Sequence, residues 1–303
     1  MKLTGVIVPH VTPLTSTEAL DVAGLRRLID FLLEAGVHGL FANGSMGGFA
    51  FLPDRVQFEA IEASLAHIAG RVPMVAGISD TSTSRVLERL RIVERMAPHA
   101  VVVMPPFYYL AQQNEIVHFF RTIADASSVP VLLYDNPRLA KNSLAPETIG
   151  LLARHPNIAG AKISAPDAQK WQEVLRQDLP RDRFTLICGA EPMMSLSLRL
   201  GFDGVTGGLH NLAPAAAVAM FDAARAGRWD DAEAHQRHLN RIQEIFAIDG
   251  GWRGAELTLA TLGICDKVTA APHDVALAPA TRDAILSVID RELAAAPIQR
   301  SDS

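Results

Sequence analysis

Cysteine is scarce in this chain of 303 residues: only Cys188 and Cys265 occur, far apart and without CxxC spacing. Such a pair offers neither a disulfide framework nor a zinc-ligand set, and it fits a reducing cytoplasm. Dense basic clusters are missing too. With 28 Lys and Arg against 33 Asp and Glu the net charge is −5 and the pI near 6.1, which argues against a nucleic-acid partner. Long apolar runs are also lacking. The window "LIDFLLEAGVHGLFANG" is broken by Asp30, Glu34 and glycines, and nothing approaches the ~18 to 20 clean apolar residues of a spanning helix. No membrane partner is expected. The opening "MKLTGVIVPHVTPL" has no long apolar core and no small-residue cleavage site, so no signal peptide is expected either. What is abundant is core-forming residues: 49% are hydrophobic and 20% charged, with a mean hydropathy of +0.16. That describes a globular protein with a large core. An apolar excess without membrane segments favours subunit interfaces.

Short apolar runs alternate with amphipathic ones. "GVIVPHV" (5–11) reads as a strand and "LDVAGLRRLIDFLLEAG" (20–36) as a helix ending at Gly36. "VHGLFAN", "VPMVAGI", "HAVVVMPP", "VPVLLYDNP", "NIAGAKIS", "FTLICGA" and "DGVTGGLHN" repeat the pattern, each followed by a helical stretch. In the second unit that stretch is "PDRVQFEAIEASLAHIAG", with Pro53 suited to a first turn. Continuous Val/Ile/Leu runs, rather than alternation, mark strands covered on both faces and therefore paired in parallel. Eight such units in about 225 residues fit a closed (β/α)8 TIM barrel better than an open doubly wound sheet, which is the structural alternative. Residues 1–225 are thus expected to form the barrel. Residues 226–303 are expected to form a C-terminal helical extension packed on it, with helices at "WDDAEAHQRHLNRIQEIFAI" and "TRDAILSVIDRELAAA" and a frayed "RSDS" end.

Active sites of such barrels lie at the C-terminal ends of the strands. The polar residues expected there are His10, Thr12, Asn43, Ser45, Ser79, Asp80, Tyr108, Tyr109, Tyr134, Asn136, Lys162, Ser164, Glu191, Thr206, His210 and Asn211. Lys162 stands out because it sits inside an apolar strand, where an ammonium is costly to desolvate. A lysine held dry is driven toward its neutral amine, the nucleophile that forms a Schiff base with a carbonyl. The alternative is a lysine whose stem is buried while its head reaches water at the rim. Tyr134, at the end of the preceding strand, is placed to lie beside Lys162 and to shuttle protons to and from a carbinolamine.

The segments "GLFANGSMGGFAFL", "VVVMPPFYY", "LLYDNP" and "IAGAKIS", in that order, resemble the dihydrodipicolinate synthase/N-acetylneuraminate lyase family, over roughly residues 5 to 225. The resemblance implies a TIM barrel, usually a homotetramer built from two tight dimers. It also implies a class I aldolase mechanism in which a lysine forms an imine with pyruvate or another 2-keto acid, without a cofactor or metal. Carried over, Lys162 matches the Schiff-base lysine and Tyr134 the acid/base tyrosine. Ser45 matches the hydroxyl residue of the family's Gly-Thr/Ser-Thr-Gly-Glu loop. Tyr108 matches the tyrosine that crosses the dimer interface to complete a hydroxyl relay. Thr206 and Gly207 match the strand-eight wall beside the imine. The glycines at 44, 47 and 48 would bring backbone N–H groups close to the substrate carboxylate, so Gly44, Met46 and Gly47 are expected to bind substrate, together with Asn136, Leu139 and Lys141.

Two departures from the family pattern bear on substrate choice. Met46 and Gly48 replace its second threonine and its glutamate, leaving carboxylate binding to backbone N–H groups beside an apolar wall that disfavours a highly polar tail. Leu139 stands where dihydrodipicolinate synthases carry an arginine for a distal carboxylate, with Arg138 and Lys141 on either side. "YDNPRLAK" instead resembles the Asn-Pro-x-x-x-Lys pattern of hydratase-aldolases. The expected function is a carbon–carbon or carbon–oxygen lyase acting on a 2-keto acid. A keto-acid sensor that has lost turnover, dihydrodipicolinate synthase proper and a metal-assisted aldolase are the alternatives. His235 and His238, one helical turn apart, read as solvated, and Asp230, Asp231 and Glu233 as a charged helix face. "GFDGVTGGLH" lacks the cation a phosphate site would want, and Met193 and Met194 read as packing.

Overall fold

A computed structural model describes residues 2–249 and 251–293; the "RSDS" end and the last residues of the helix expected to 296 lie outside them. Eight strands form a closed parallel barrel in chain order, β1 pairing with β8. They are β1 (Gly5–Val8), β2 (Gly39–Ala42), β3 (Met74–Gly77), β4 (Ala100–Val103), β5 (Val131–Asp135), β6 (Ile158–Ile163), β7 (Thr185–Cys188) and β8 (Gly204–Val205). The eight units expected from the apolar runs are therefore those of a TIM barrel, and the doubly wound alternative is excluded.

Around the barrel run α1 (Val22–Glu34), α2 (Asp54–Ile68), α3 (Thr83–Val93), α4 (Gln113–Ala126), α5 (Pro137–Ala140), α6 (Pro146–Ala153), α7 (Ala168–Leu175), α8 (Met194–Leu200) and α9 (Pro214–Arg225). Their starts follow from local chemistry. Asp21 accepts from Gly24 N at 2.9 Å at the head of α1, and Asp167 accepts from Lys170 N at 3.0 Å at the head of α7, each satisfying a backbone donor the helix leaves free. Pro53 sits one position earlier than expected, as the cap residue before α2.

Because strand residues alternate between the two faces, the core has two layers. Ile7, Phe41, Val75, Val102, Leu132 and Ile187 fill the lumen. Val6, Val8, Leu40, Val101, Val103 and Leu186 belong to the layer between barrel and helices. A lumen packed with side chains closes the barrel below and leaves only its upper end free to form a site.

After α9 come α10 (Trp229–Ile242), α11 (Glu244–Asp249), α12 (Trp252–Thr261) and α13 (Pro279–Glu292). The α12 helix was not anticipated, since glycines at 251, 254 and 263 punctuate its sequence. The α10 helix lies along α8 and α9. Glu233, read as part of a solvated face, accepts from Ser195 Oγ at 2.9 Å. His238 Nε2 lies 3.1 Å from the Glu292 carbonyl rather than beside a ligand set.

Candidate active site

The register of β5 on β6 sets Tyr134 directly opposite Lys162. Leu132 and Tyr134 are two residues apart and share the lumen-facing side, as Gly160 and Lys162 do, so phenol and amine meet above the packed lumen. Lys162 is 7% exposed and Tyr134 4%. The lysine Nζ lies 4.0 Å from the centre of the Tyr134 ring and 5.0 Å from that of Phe41. Aromatic faces attract an ammonium yet solvate it far less than water does.

The phenol is held from two sides. Asn136 Nδ2 donates to Tyr134 Oη at 3.0 Å, and Ser45 Oγ lies 3.2 Å from the same oxygen, either group able to donate. Burial alone pushes a phenol up. Here the positive charge of Lys162 and the hydrogen bonds outweigh it, and the Tyr134 phenol titrates below its ordinary range. The tyrosine is thus eased toward the form that accepts a proton.

These groups open into a cavity of about 370 Å³ at the C-terminal ends of the strands. Ser45, Met46, Tyr134 and Asn136 line it, as do Leu139, Lys162, Thr206 and Gly207. Met46 fits because Gly208 faces it without a side chain: a Cβ there would lie 2.7 Å from the Met46 sulfur. Other expected site residues do not line the cavity. Gly44 and Gly47 are buried in the turn beneath Ser45 and Met46. Lys141 is exposed at the end of α5 with a left-handed backbone, φ 61°. Tyr108 is 74% exposed, with Tyr109 at 79% and Leu110 at 77%, so within one chain the hydroxyl chain runs only from Tyr134 to Ser45.

Several polar strand ends have structural work instead. Asn211 accepts from Val11 N at 3.1 Å and donates to Pro9 O at 3.0 Å, tying the loop after β8 to β1. Thr12 Oγ1 donates to Gly47 O at 2.8 Å, and Asn43 Nδ2 to Gly77 O at 2.8 Å. Asp135, fully buried on the helix-facing side of β5, takes Lys170 Nζ at 2.5 Å and Leu144 N at 2.9 Å, anchoring the loop that carries Asn136 to Leu139. His210 is fully buried, and burial, with the Lys162 charge adding, pushes its imidazole down to about 3; it is neutral.

Two charged residues given no substrate-binding role from the sequence also line the cavity. Arg138 lines it from α5, whereas Lys141 on its other flank does not. Glu191, just past β7, lines the opposite side. Its Oε1 accepts from Leu209 N at 2.9 Å and its Oε2 from Gln243 Nε2 at 3.2 Å. Burial holds this carboxyl above the usual range, although those donors and the Lys162 charge pull the other way. The acid at the strand end was visible in "CGAEPM"; its partner 52 residues on was not. Among the described residues no group of three or more His, Cys, Asp or Glu is arranged to hold a metal ion, and no helix is long and apolar enough to cross a membrane.

The family model described as the dihydrodipicolinate synthetase family matches residues 2–287. A 4-hydroxy-tetrahydrodipicolinate synthase of Stenotrophomonas maltophilia (strain R551-3) is 32% identical over 87% of this chain and 88% of its own. YagE of Escherichia coli (strain K12), which carries the name "Putative 2-dehydro-3-deoxy-D-gluconate aldolase", is 29% identical over 81% and 82%. The crystal structure of YagE in complex with pyruvate superposes with a TM-score of 0.90 at 26% identity, covering 95% of this chain and 98% of that one.

Proposed function

The chain belongs to the dihydrodipicolinate synthetase family and is a lyase of the class I aldolase type, and from that premise we propose that it binds pyruvate or another 2-keto acid as an imine on Lys162. The observation that carries this reading is the pairing of Tyr134 with Lys162, the amine 4.0 Å from the phenol ring at the floor of a closed-bottomed cavity. The relative crystallised with pyruvate supports the choice of keto acid.

In this mechanism the neutral Lys162 amine adds to the C2 carbonyl. The resulting carbinolamine hydroxyl leaves as water, taking a proton from Tyr134, which Ser45 and Asn136 hold in place. The protonated imine then draws the electron pair released at C3. A C3–C4 bond breaks, a C3 proton departs before addition to an aldehyde, or, after C3 deprotonation, a hydroxyl at C4 leaves as water. Hydrolysis returns the amine and frees the product. Relatives named as synthases support condensation as the direction. The aldolase name of YagE, with Leu139 at the position that carries an arginine in dihydrodipicolinate synthases, supports cleavage or dehydration; Arg138 lining the cavity, a cation that could stand in for that arginine, supports condensation.

The assembly proposed is a homotetramer of two tight dimers in the cytoplasm. Tyr108, Tyr109 and Leu110 form a contiguous exposed aromatic and aliphatic patch, the kind of surface a second copy covers. Tyr108 would then extend the Tyr134–Ser45 chain from the neighbouring subunit. Borohydride reduction in the presence of pyruvate, read by peptide mass spectrometry, tests the site. A reduced adduct on the Lys162 peptide is expected. Lys162→Ala should give none and lose several orders of magnitude in turnover. An adduct on another lysine, or near-normal turnover in Lys162→Ala, would remove the assignment.

A further inference from the structure

Tyr108 has a left-handed backbone, φ 86°. In that conformation the Cβ of an L-residue crowds its own carbonyl, and it persists only where neighbours hold it. The residue stands at the outer point of the segment between β4 and α4. Phe107 before it packs toward the lumen layer, its ring 6.0 Å from that of Phe49 in the turn after Ser45. The Tyr108 ring lies outside, 5.0 Å from that of Tyr109.

What holds this turn comes from a different loop. Asn142, between α5 and α6, is 3% exposed. Its Nδ2 donates to Pro106 O at 2.6 Å and to Tyr109 O at 2.8 Å, and its Oδ1 accepts from Ala111 N at 2.9 Å. Those three backbone groups bracket Tyr108 on both sides. Two carbonyls and one N–H require two donors and one acceptor from a single short side chain, which asparagine supplies and aspartate, serine or leucine does not. The amide reaches them because Lys141 before it is left-handed, φ 61°: the bend that sends the lysine outward sends Asn142 in. Gln113, at the head of α4, closes the same seam. Its Nε2 donates to Ser143 O at 2.8 Å and its Oε1 accepts from Ala145 N at 3.1 Å. With the amide matched in this way, the Tyr108 turn is fixed before a second copy meets it.

We propose that Asn142 is a positioning residue that acts across the subunit boundary: it sets the Tyr108 turn of its own chain and thereby the proton relay in the neighbouring chain's site. This rests on the reading in which Tyr108 extends the Tyr134–Ser45 chain of its neighbour. Neither Asn142 nor Tyr108 lines the cavity of its own chain, so the chemical defect of an Asn142 variant falls on its partner.

Complementation between subunits tests this, read as the initial rate of pyruvate adduct trapped by borohydride on the Lys162 peptide, per intact Lys162. Asn142→Ala alone should form adduct about tenfold more slowly, as loss of a fixed geometry requires. Co-expressed with an excess of Lys162→Ala, which gives no adduct but carries a well-held Tyr108, it should recover to within about twofold of wild type. Asn142→Asp keeps the acceptor and loses both donors; it should behave alike, and it serves where the alanine variant does not fold. Tyr108→Phe mixed with Lys162→Ala is the companion pair and should recover as well. An Asn142→Ala rate unchanged from wild type overturns the proposal. So does a slow rate that stays slow in the mixed assemblies while Tyr108→Phe recovers, since Asn142 then acts only within its own chain. No recovery in either pair removes the cross-subunit reading of Tyr108 and this inference with it, and leaves the imine on Lys162 standing where wild type is trapped normally.

Discussion

Gly189 offers the sharpest perturbation of the lysine that does not touch the lysine itself. The residue follows β7, and its N–H donates to Ile163 O at 2.7 Å, which holds its backbone against the end of β6. A Cβ at this position would lie 2.1 Å from Ser164 Oγ, 3.1 Å from Lys162 Cε and 3.2 Å from Ser164 Cβ. Its backbone lies outside the left-handed region, so alanine brings no dihedral strain and the effect of Gly189→Ala is purely steric. The serine oxygen, half-buried, can rotate away. The Lys162 contact then remains, tighter than carbon atoms accept, and displaces the lysine stem by a few tenths of an ångström. Overpacking of this kind costs about 1 to 3 kcal/mol, with the lower end expected because Ser164 yields. Since misplacement by about 1 Å can cost a hundredfold in rate, a shift of a few tenths of an ångström should slow pyruvate imine trapping by about three- to tenfold. Removing the colliding oxygen supplies the internal check. In Ser164→Ala/Gly189→Ala, urea denaturation should return a coupling of at least about 0.5 kcal/mol. Trapping within about twofold of wild type in Gly189→Ala, or strict additivity in the double variant, would refute the reasoning.

Tyr134→Phe keeps the ring beside Lys162 and deletes the oxygen that Ser45 and Asn136 hold. Single-turnover imine formation should slow by about a hundredfold or more, and an unchanged rate would exclude the phenol as proton carrier. Acid should expose a separate device below α3. There Asp80 receives Arg85 Nε at 2.6 Å and Arg89 Nε at 2.8 Å. Burial pushes this carboxyl up, but the two arginines and Thr81 N bring it down from 3.8 to about 2. The folded form therefore binds its proton later than the unfolded chain, so the contribution is complete above about pH 5 and disappears as pH falls through 2, a loss of about 2 kcal/mol. The stability difference between wild type and Asp80→Asn, followed by urea midpoints, should narrow by that amount over this range; a difference independent of pH would contradict the assignment.

The barrel was legible because parallel strands covered on both faces leave uninterrupted Val/Ile/Leu runs, and Lys162 was legible because it interrupts one of them. Side-chain direction was less accessible. His10, Thr12, Asn43 and Asn211 sit at strand ends as Ser45 and Thr206 do, yet Thr12, Asn43 and Asn211 tie loops together. His10 contacts Ser64 at 3.3 Å from a buried position. A strand end announces polarity, and only register and turn geometry decide which way it points. Lys141 illustrates the same limit. It is one turn from Pro137, but the four-residue α5 ends in a left-handed residue and sends Lys141 outward, leaving Arg138 as the cation that lines the cavity.

The C-terminal helices bear on chemistry as well as on burial. Gln236 on α10 donates to the Glu191 carbonyl at 2.9 Å and accepts from Ser195 N at 2.9 Å, bracketing the turn from β7 into α8. Gln243, one residue past α10, reaches the Glu191 carboxyl itself. In the barrel alone, Glu191 Oε2 would lack this donor, and only Leu209 N would hold the carboxyl. A buried polar group is worth most when every partner is fixed, and these partners come from residues that the strand–helix repeat does not include.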